Sequence, residues 1–295
     1  MAVCDLCPRG CQADREHGRN GYCGVSGELR VARASLHMWE EPPISGTYGS
    51  GTVFFTGCAL RCVYCQNRKI ALADLGEEIS VSRLAEIFLK LQEKKAHNIN
   101  LVTPSHYVLQ IVEALELAKQ QGLVIPIVYN TGSYEKVETL RMLEGLVDIY
   151  LPDCKYYSRD LAARYSNAPD YFEVASAAIA EMIRQVGTPV FEDDLLKRGV
   201  VVRHMILPGN TRDSKAVLKY LYETYGNDIY ISIMNQYTPL EAMKDYPEIN
   251  RRITPREYER VIDYALSIGI ENAFIQEGDT ATESFIPDFE DSVLL

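Results

Sequence analysis

Apolar runs rich in β-branched and aromatic residues recur from residue 52 onward: TVFFT (52–56), NINLV (98–102), IPIVYN (125–130), LVDIYL (146–151), GVVVRHMIL (199–207) and DIYISIM (228–234). A shorter FIQ (274–276) closes the series. Such near-continuous apolar runs read as strands buried on both faces. Between them, apolar positions recur at helical spacing in VSRLAEIFLKLQEKK, HYVLQIVEALELAKQQ, YEKVETLRMLEG, YFEVASAAIAEMIRQ, DSKAVLKYLYETY and PREYERVIDYALSI. Gly122, Gly226 and Gly269 stand where a left-handed cap would end a helix. The alternation predicts an α/β fold, a partial or full parallel (β/α) barrel, with a doubly wound open sheet as the structural alternative.

Residues 1–45 break this rhythm. They are short of hydrophobic periodicity, rich in Cys, Gly and Arg, and close on Pro42-Pro43. The expected division is a small cysteine-rich metal-binding segment (1–45), the barrel (46–280), and an acidic C-terminal tail or lid (281–295). The 295 residues are 47% hydrophobic and 24% charged, ample for a large core. A net charge of -11 opposes a nucleic-acid surface. No apolar stretch approaches the roughly 20 residues of a membrane span, and the first residues, MAVCDLCPRGC, carry no signal-type apolar run. The expected location is cytoplasmic, where thiols stay reduced. The eight cysteines then read as metal ligands or reactive groups rather than as disulfides.

The polar residues after each predicted strand fall at its carboxyl end. Cys58, Cys62 and Cys65 follow the first strand; Thr103-Pro104-Ser105-His106 follow the second. Asn130-Thr131-Gly132 end the third, and Asp153 and Lys155 follow the fourth. Pro208-Gly209-Asn210, Asn235-Gln236 and Gln276-Glu277-Gly278 follow the rest. In a parallel barrel these ends share the one face where such folds bind and react. The spacing C-x3-C-x2-C offers three thiolates, enough for three irons of a cubane with the fourth iron open, or for a zinc ion completed by a distant histidine.

With Tyr64 just before its last cysteine, this triplet resembles the signature of the radical SAM superfamily. The resemblance implies a [4Fe-4S] cluster on Cys58, Cys62 and Cys65 whose open iron chelates S-adenosylmethionine. It extends toward pyruvate formate-lyase activating enzymes. Asp153-Cys154-Lys155 is similar to their D-x-K element, Asn130-Thr131-Gly132 to their strand-three turn, and VRHMILPGN to their V-R-x-x-x-x-P-G strand. By that resemblance Lys155 and Arg203 contact S-adenosylmethionine and Tyr64 packs near its adenine; the alternative for Arg203 is an internal ion pair. The glycine-rich turn that such enzymes carry after strand two is absent, which leaves Thr103, Ser105 or a backbone carbonyl to receive the amino group. The histidine they carry on strand six is also missing, from MNQYTPL.

The implied activity is radical chemistry. S-adenosylmethionine is cleaved reductively with a flavodoxin or ferredoxin as electron donor, and hydrogen is taken from a protein or peptide, as in glycyl radical enzyme activation. The alternatives are a small-molecule substrate, or a non-catalytic iron–sulfur or zinc carrier or regulator. Cys4, Cys7, Cys11 and Cys23 offer a second, four-thiolate site for zinc or an auxiliary cluster, structural or electron-carrying. Cys154 reads as a buried spare thiol. His106 and His204 are acid–base candidates near the reactive face, though His204, alternating with Arg203, should pack away from the barrel interior. His17 and His37 read as surface residues, with spare metal ligands as the alternative.

Overall fold

A computed structural model describes residues 3–276. The expected tail 281–295 and the Glu277-Gly278 pair lie outside the described residues. The strands are β1 (Arg30–His37), β2 (Ser50–Phe55), β3 (Glu77–Glu78), β4 (Ile99–Val102), β5 (Ile127–Thr131), β6 (Ile149–Pro152), β7 (Val190–Glu192), β8 (Leu195–Met205), β9 (Tyr230–Met234) and β10 (Ala273–Ile275). The longer helices are α3 (Val81–Glu93), α4 (Val108–Gln120), α6 (Arg159–Ser166), α7 (Tyr171–Val186), α8 (Thr211–Tyr225) and α9 (Pro255–Ile268). Short turns of helix occur at α1 (Pro42–Ser45), α2 (Arg68–Ala71) and α5 (Val137–Arg141).

Local chemistry sets the boundaries. Ser80 caps α3 by accepting from Arg83 N. Thr254 and Glu257 form a reciprocal capping box on α9, which ends on Gly269 at φ +99°. The predicted helix from Tyr134 begins only at Val137, because Ser133 turns the chain through a left-handed φ of +64°. That delay leaves Glu135 in a loop.

Seven strands run parallel in the order β2-β4-β5-β6-β8-β9-β10. Each neighbours the next parallel strand in the chain, so the sheet has no point where strand order reverses, as a doubly wound fold requires. Among the described residues it does not close, which makes it a partial barrel. β1 adds antiparallel to β2 and β3 to β1. Residues 30–37 of the N-terminal segment therefore belong to the main sheet. Their Arg- and Ala-rich sequence gave no strand signal.

The strands show two different faces. Val53, Phe55, Leu101, Ile127, Tyr129, Tyr150, Val202 and Ile231 pack with Leu84, Phe88, Ile111, Leu115, Met182 and Leu218 of the helices in one continuous core. Burying each such side chain contributes about 1.5–3 kcal/mol. On the inner face, Val128, Ile149, Leu151 and Val201 surround Ile44 of α1. Ile44 is held there by Asn98 Nδ2, which donates to its carbonyl at 2.7 Å. Higher on that face the layer turns polar, with Asn100, Asn130, Arg203 and Ser232. The site begins there.

Candidate functional site

A cavity of about 240 Å³ opens at the carboxyl ends of the strands. Its wall includes Cys58, Cys62, Tyr64 and Cys65 from the loop after β2, and Thr103 and Ser105 after β4. Asn130, Asp153, Lys155 and Arg203 complete it from β5, β6 and β8. All ten residues that the sequence nominated for the cluster and S-adenosylmethionine thus meet in one place.

The thiol loop is shaped by close approach. Gly57 has φ +93°, and a Cβ there would lie 2.8 Å from Cys23 O and 3.2 Å from His106 Nε2. Cys58 N donates to Cys23 O at 3.2 Å, Cys65 N to Cys62 O at 3.0 Å, and Val63 N to Tyr165 O at 2.9 Å. Ser166 Oγ donates to Cys62 Sγ at 2.9 Å. Behind Ser166 stands Tyr156 at 2.8 Å, and behind that Tyr64 at 2.6 Å, hydroxyl to hydroxyl. Tyr64 meets the rings of Tyr156, Tyr165 and Tyr237 edge-on. Tyr64, Tyr156, Tyr165 and Tyr237, four of the nineteen tyrosines, thus pack together beside the thiol loop.

Burial, then the neighbouring Cys62, pushes the Cys58 thiol up. Burial, Cys58 and Cys62 together push Cys65 up to about 12. Three thiols this close favour the protonated form until a cation replaces their protons. The donor set of three soft sulfurs on one loop suits an iron–sulfur cluster. Among the described residues, no three cysteine, histidine or carboxylate side chains converge tightly enough to hold a single metal ion.

Arg203 is the hub of the cavity floor. Its Nε donates to Asp153 Oδ1 at 2.9 Å, Nη1 to Glu40 Oε2 at 3.3 Å and Nη2 to Asn130 Oδ1 at 2.6 Å. The internal ion pair is therefore formed, while the side chain still borders the cavity. Lys155 Nζ donates to Asp153 Oδ2 at 2.6 Å. Burial acts to lower the Lys155 pKa, but the Asp153 carboxylate and Cys62 outweigh it and hold the ammonium above its usual range. Burial likewise works against an ionised Asp153, yet Arg203 and Lys155 hold its carboxyl below the ordinary range. Burial raises Glu40 despite Arg203 and Asn100.

Two acids here escaped sequence reasoning. Glu40 sits in MWEEPP, a stretch without periodicity, and reaches Asn100 Nδ2 at 3.0 Å. Glu135 accepts from the Ser105 and Thr131 hydroxyls. It lies in a run that reads as one face of a helix. Thr103 takes φ +58°, a backbone geometry usually left to glycine, at the position where the glycine-rich turn is absent.

Other nominated residues fall elsewhere. Cys154 is buried in the helix-facing core, where burial pushes its thiol up to about 12. His204 faces the same side, with Nδ1 at 2.7 Å from Cys154 O, and burial lowers it to about 4. His106 is not a cavity residue. Its Nε2 lies 2.7 Å from Thr56 O, and burial lowers it to about 4 as well. His17 is exposed and paired with Asp14, and His37 packs edge-on against Phe54.

The quartet lies beside the thiol loop, its thiols near one another but with no three converged on a single-metal geometry. A Cβ on Gly21 would lie 3.3 Å from both Cys11 Sγ and Cys23 Sγ. Arg15 Nη1 is 3.7 Å from Cys4 Sγ. Cys7 is pushed up to about 12, chiefly by burial and then by Cys23, Glu135 and Cys4, against a lowering backbone hydrogen bond at Arg9.

Comparison with known proteins agrees with this geometry. A curated relative, the uncharacterized protein MJ0674 of Methanocaldococcus jannaschii, is 28% identical over 272 residues, 89% of this chain and 74% of the relative. The fold is similar to that of Streptococcus suis SuiB bound to its precursor peptide SuiA (TM-score 0.51, 14% identity, 75% of this chain and 47% of that one). It is also similar to HydG, a maturase of the [FeFe]-hydrogenase (TM-score 0.52, 13% identity, 75% and 50%). The chain spans about half the length of these two solved proteins. The model of the radical SAM superfamily matches residues 52–221, from the first parallel strand into α8. With more than half of its length so matched, this chain belongs to the radical SAM superfamily, whose members are enzymes that work with a [4Fe-4S] cluster and S-adenosylmethionine.

Proposed function

We propose that the chain holds its cluster on Cys58, Cys62 and Cys65, binds S-adenosylmethionine beside it, and takes hydrogen from a protein or peptide in the manner of glycyl radical enzyme activation. The observation that carries this reading is the meeting, on one cavity, of three thiols from one loop with Asn130, Asp153, Lys155 and Arg203 from three strand ends. Held by Cys58, Cys62 and Cys65, a reduced cluster would supply the one-electron chemistry for reductive cleavage of S-adenosylmethionine and removal of a substrate hydrogen, the electron coming from the external donor.

The side chains bind, orient and exclude water. Lys155 has three donors, one of them given to Asp153, and faces the cavity ready for a carboxylate. Arg203 spends its fork on Asp153, Glu40 and Asn130, so its part is to fix the floor on which the ligand rests. Leu60, Tyr64, Met205 and Met234 give the wall its apolar stretches, which keep water from the reacting atoms. The protein or peptide substrate is supported by the likeness of Asp153-Cys154-Lys155 and of the β8 strand to activating enzymes. A flavodoxin or ferredoxin as donor, a cytoplasmic setting, and zinc or an auxiliary cluster on Cys4, Cys7, Cys11 and Cys23 complete the proposal.

The test is anaerobic incubation of the reconstituted, reduced protein with S-adenosylmethionine. The expected products are 5′-deoxyadenosine and methionine, with cleavage falling sharply in Lys155→Ala. An intact cluster without cleavage overturns the proposal. Iron and zinc counted per chain decide the quartet.

A further inference from the structure

Two hydroxyls on the cavity wall point their protons away from it. Ser105, which begins the turn Ser105–Tyr107 after β4, and Thr131, the last residue of β5, both line the cavity. Both donate to the same oxygen, Oε1 of Glu135. Glu135 is only 2% exposed, and its other oxygen, Oε2, is buried without a hydrogen-bond partner. The backbone N–H of Ser133 donates to Thr131 Oγ1 at 3.2 Å, which uses one of that oxygen's lone pairs. A hydroxyl has one proton and two lone pairs, so with the proton committed to the carboxylate it can offer the cavity only acceptors. Whether or not Oε2 carries a proton, Oε1 remains the acceptor for both.

The cavity is therefore polarised. One wall presents hydroxyl lone pairs with a carboxyl group behind them. Another presents the ammonium of Lys155 above the Asp153–Arg203 pair. A ligand head group that joins an ammonium to a carboxylate matches both walls at once.

We propose that Glu135 is a positioning residue that turns Ser105 and Thr131 into acceptors and so makes their wall the seat of a ligand ammonium group. No acid stands on the β4 loop itself. Glu135 supplies the charge from the neighbouring loop, between β5 and α5, and acts through the two hydroxyls rather than by touching the ligand. Burial holds its carboxyl up at about 7 against the lowering effect of Ser105, Thr131 and Tyr129. An arriving cation favours the ionised form of such a group, which strengthens both hydroxyl bonds. The inference rests on the proposed function, in which S-adenosylmethionine carries the ammonium.

The experiment compares two probes on cluster-loaded protein by equilibrium dialysis. One is S-adenosylmethionine; the other is 5′-methylthioadenosine, which keeps the nucleoside and lacks the amino-acid head. Glu135→Gln should weaken S-adenosylmethionine about tenfold or more, as expected for hydrogen bonds to a charged group. It should change 5′-methylthioadenosine less than about twofold, with iron content and the reduced-cluster EPR signal unchanged. Should Glu135→Gln fail to fold, Ser105→Ala is read the same way and should show the same selective loss. Equal losses for both probes mark a merely structural role and overturn the inference, as does an unchanged affinity for S-adenosylmethionine. Failure of the unaltered, cluster-loaded protein to bind S-adenosylmethionine overturns the proposed function itself, and this inference with it.

Discussion

Glu135 also makes a prediction about stability, with a sign opposite to its service at the cavity. Burial raises its carboxyl from 4.5 to about 7. The unfolded chain thus releases this proton near the lower value and the folded chain near the higher. Between the two, the folded chain binds more protons, so stability falls as pH rises through that window and is level above it. Each tenfold change in proton affinity is worth about 1.4 kcal/mol, so the full penalty reaches about 3 kcal/mol above neutrality.

His106 and His204 work the other way. Burial lowers both from 6.5 to about 4, so each adds stability as pH rises between those values. The unaltered protein therefore shows a mixture, and only its difference from Glu135→Gln isolates the acid. That substitution should gain on the parent by about 2 kcal/mol between roughly pH 5.5 and pH 8, on top of a constant offset from changed hydrogen bonds. At roughly 2 °C per kcal/mol for a chain this large, the gap in melting temperature should widen by about 4 °C. Anaerobic thermal melts of both proteins across that range measure it. A gap that stays flat, or narrows with rising pH, refutes the burial argument. A variant that is more stable at alkaline pH yet binds its cosubstrate less well is the trade expected where a buried charge is kept for function.

Ser166→Ala removes the hydroxyl that donates to Cys62 Sγ at 2.9 Å. Loss of about 1 kcal/mol of preferential stabilisation of the reduced cluster should lower its midpoint potential by roughly 40 mV in an EPR-monitored titration, and an unchanged potential removes the tuning role. Arg9→Ala takes away donors to Ala59 O at 2.7 Å, Ser166 O at 2.8 Å and Asn167 O, together with stacking on Tyr22. It should cost about 2–4 kcal/mol and reduce iron per chain, measured by melting and metal analysis. Cys154→Ala should leave iron per chain and the EPR signal as they are, at a cost of about 1 kcal/mol; lost iron would make Cys154 a ligand.

The parts of the fold legible in the sequence are those where local pattern and tertiary burial agree. TVFFT and IPIVYN are apolar at nearly every position, because helices cover one face and the barrel interior the other. They became β2 and β5 within two residues. α9 begins at Pro255 and ends at Ile268 as read, because Thr254, Glu257 and Gly269 encode its ends chemically. β1 was not legible. RVARASLH owes its place to antiparallel pairing with β2, a long-range contact that leaves only a weak local trace. The ten cavity residues were legible because they sit at strand ends beside a distinctive cysteine spacing. Glu40, Glu135 and Ser166 were not, since each acts through a partner between 4 and about 160 residues away in sequence. A lone acid or hydroxyl in a chain announces no such partner.

The cysteine-rich start of the chain does not line the cavity but braces the loop and the turn that do. Cys23 O accepts from Cys58 N, and Arg9 grips Ala59 O on the same loop. Arg15 Nη1 donates to His106 O at 2.6 Å, on the turn that carries Ser105. Gly24 sits at φ +89°, a conformation that strains any side chain, and a Cβ there would lie 3.2 Å from Ala73 Cβ and displace the Arg61 guanidinium. Without residues 4–24, Cys58 N, Ala59 O and His106 O would each lose a partner, at about 1–3 kcal/mol for every group left buried and unpaired. The loop that holds the three thiols, and the turn that holds Ser105, are thus fixed by the same segment that carries Cys4, Cys7, Cys11 and Cys23. On the proposed reading, in which the quartet holds zinc or an auxiliary cluster, tightening it would act through these backbone bonds on the geometry of the triplet, and the linkage would run in both directions.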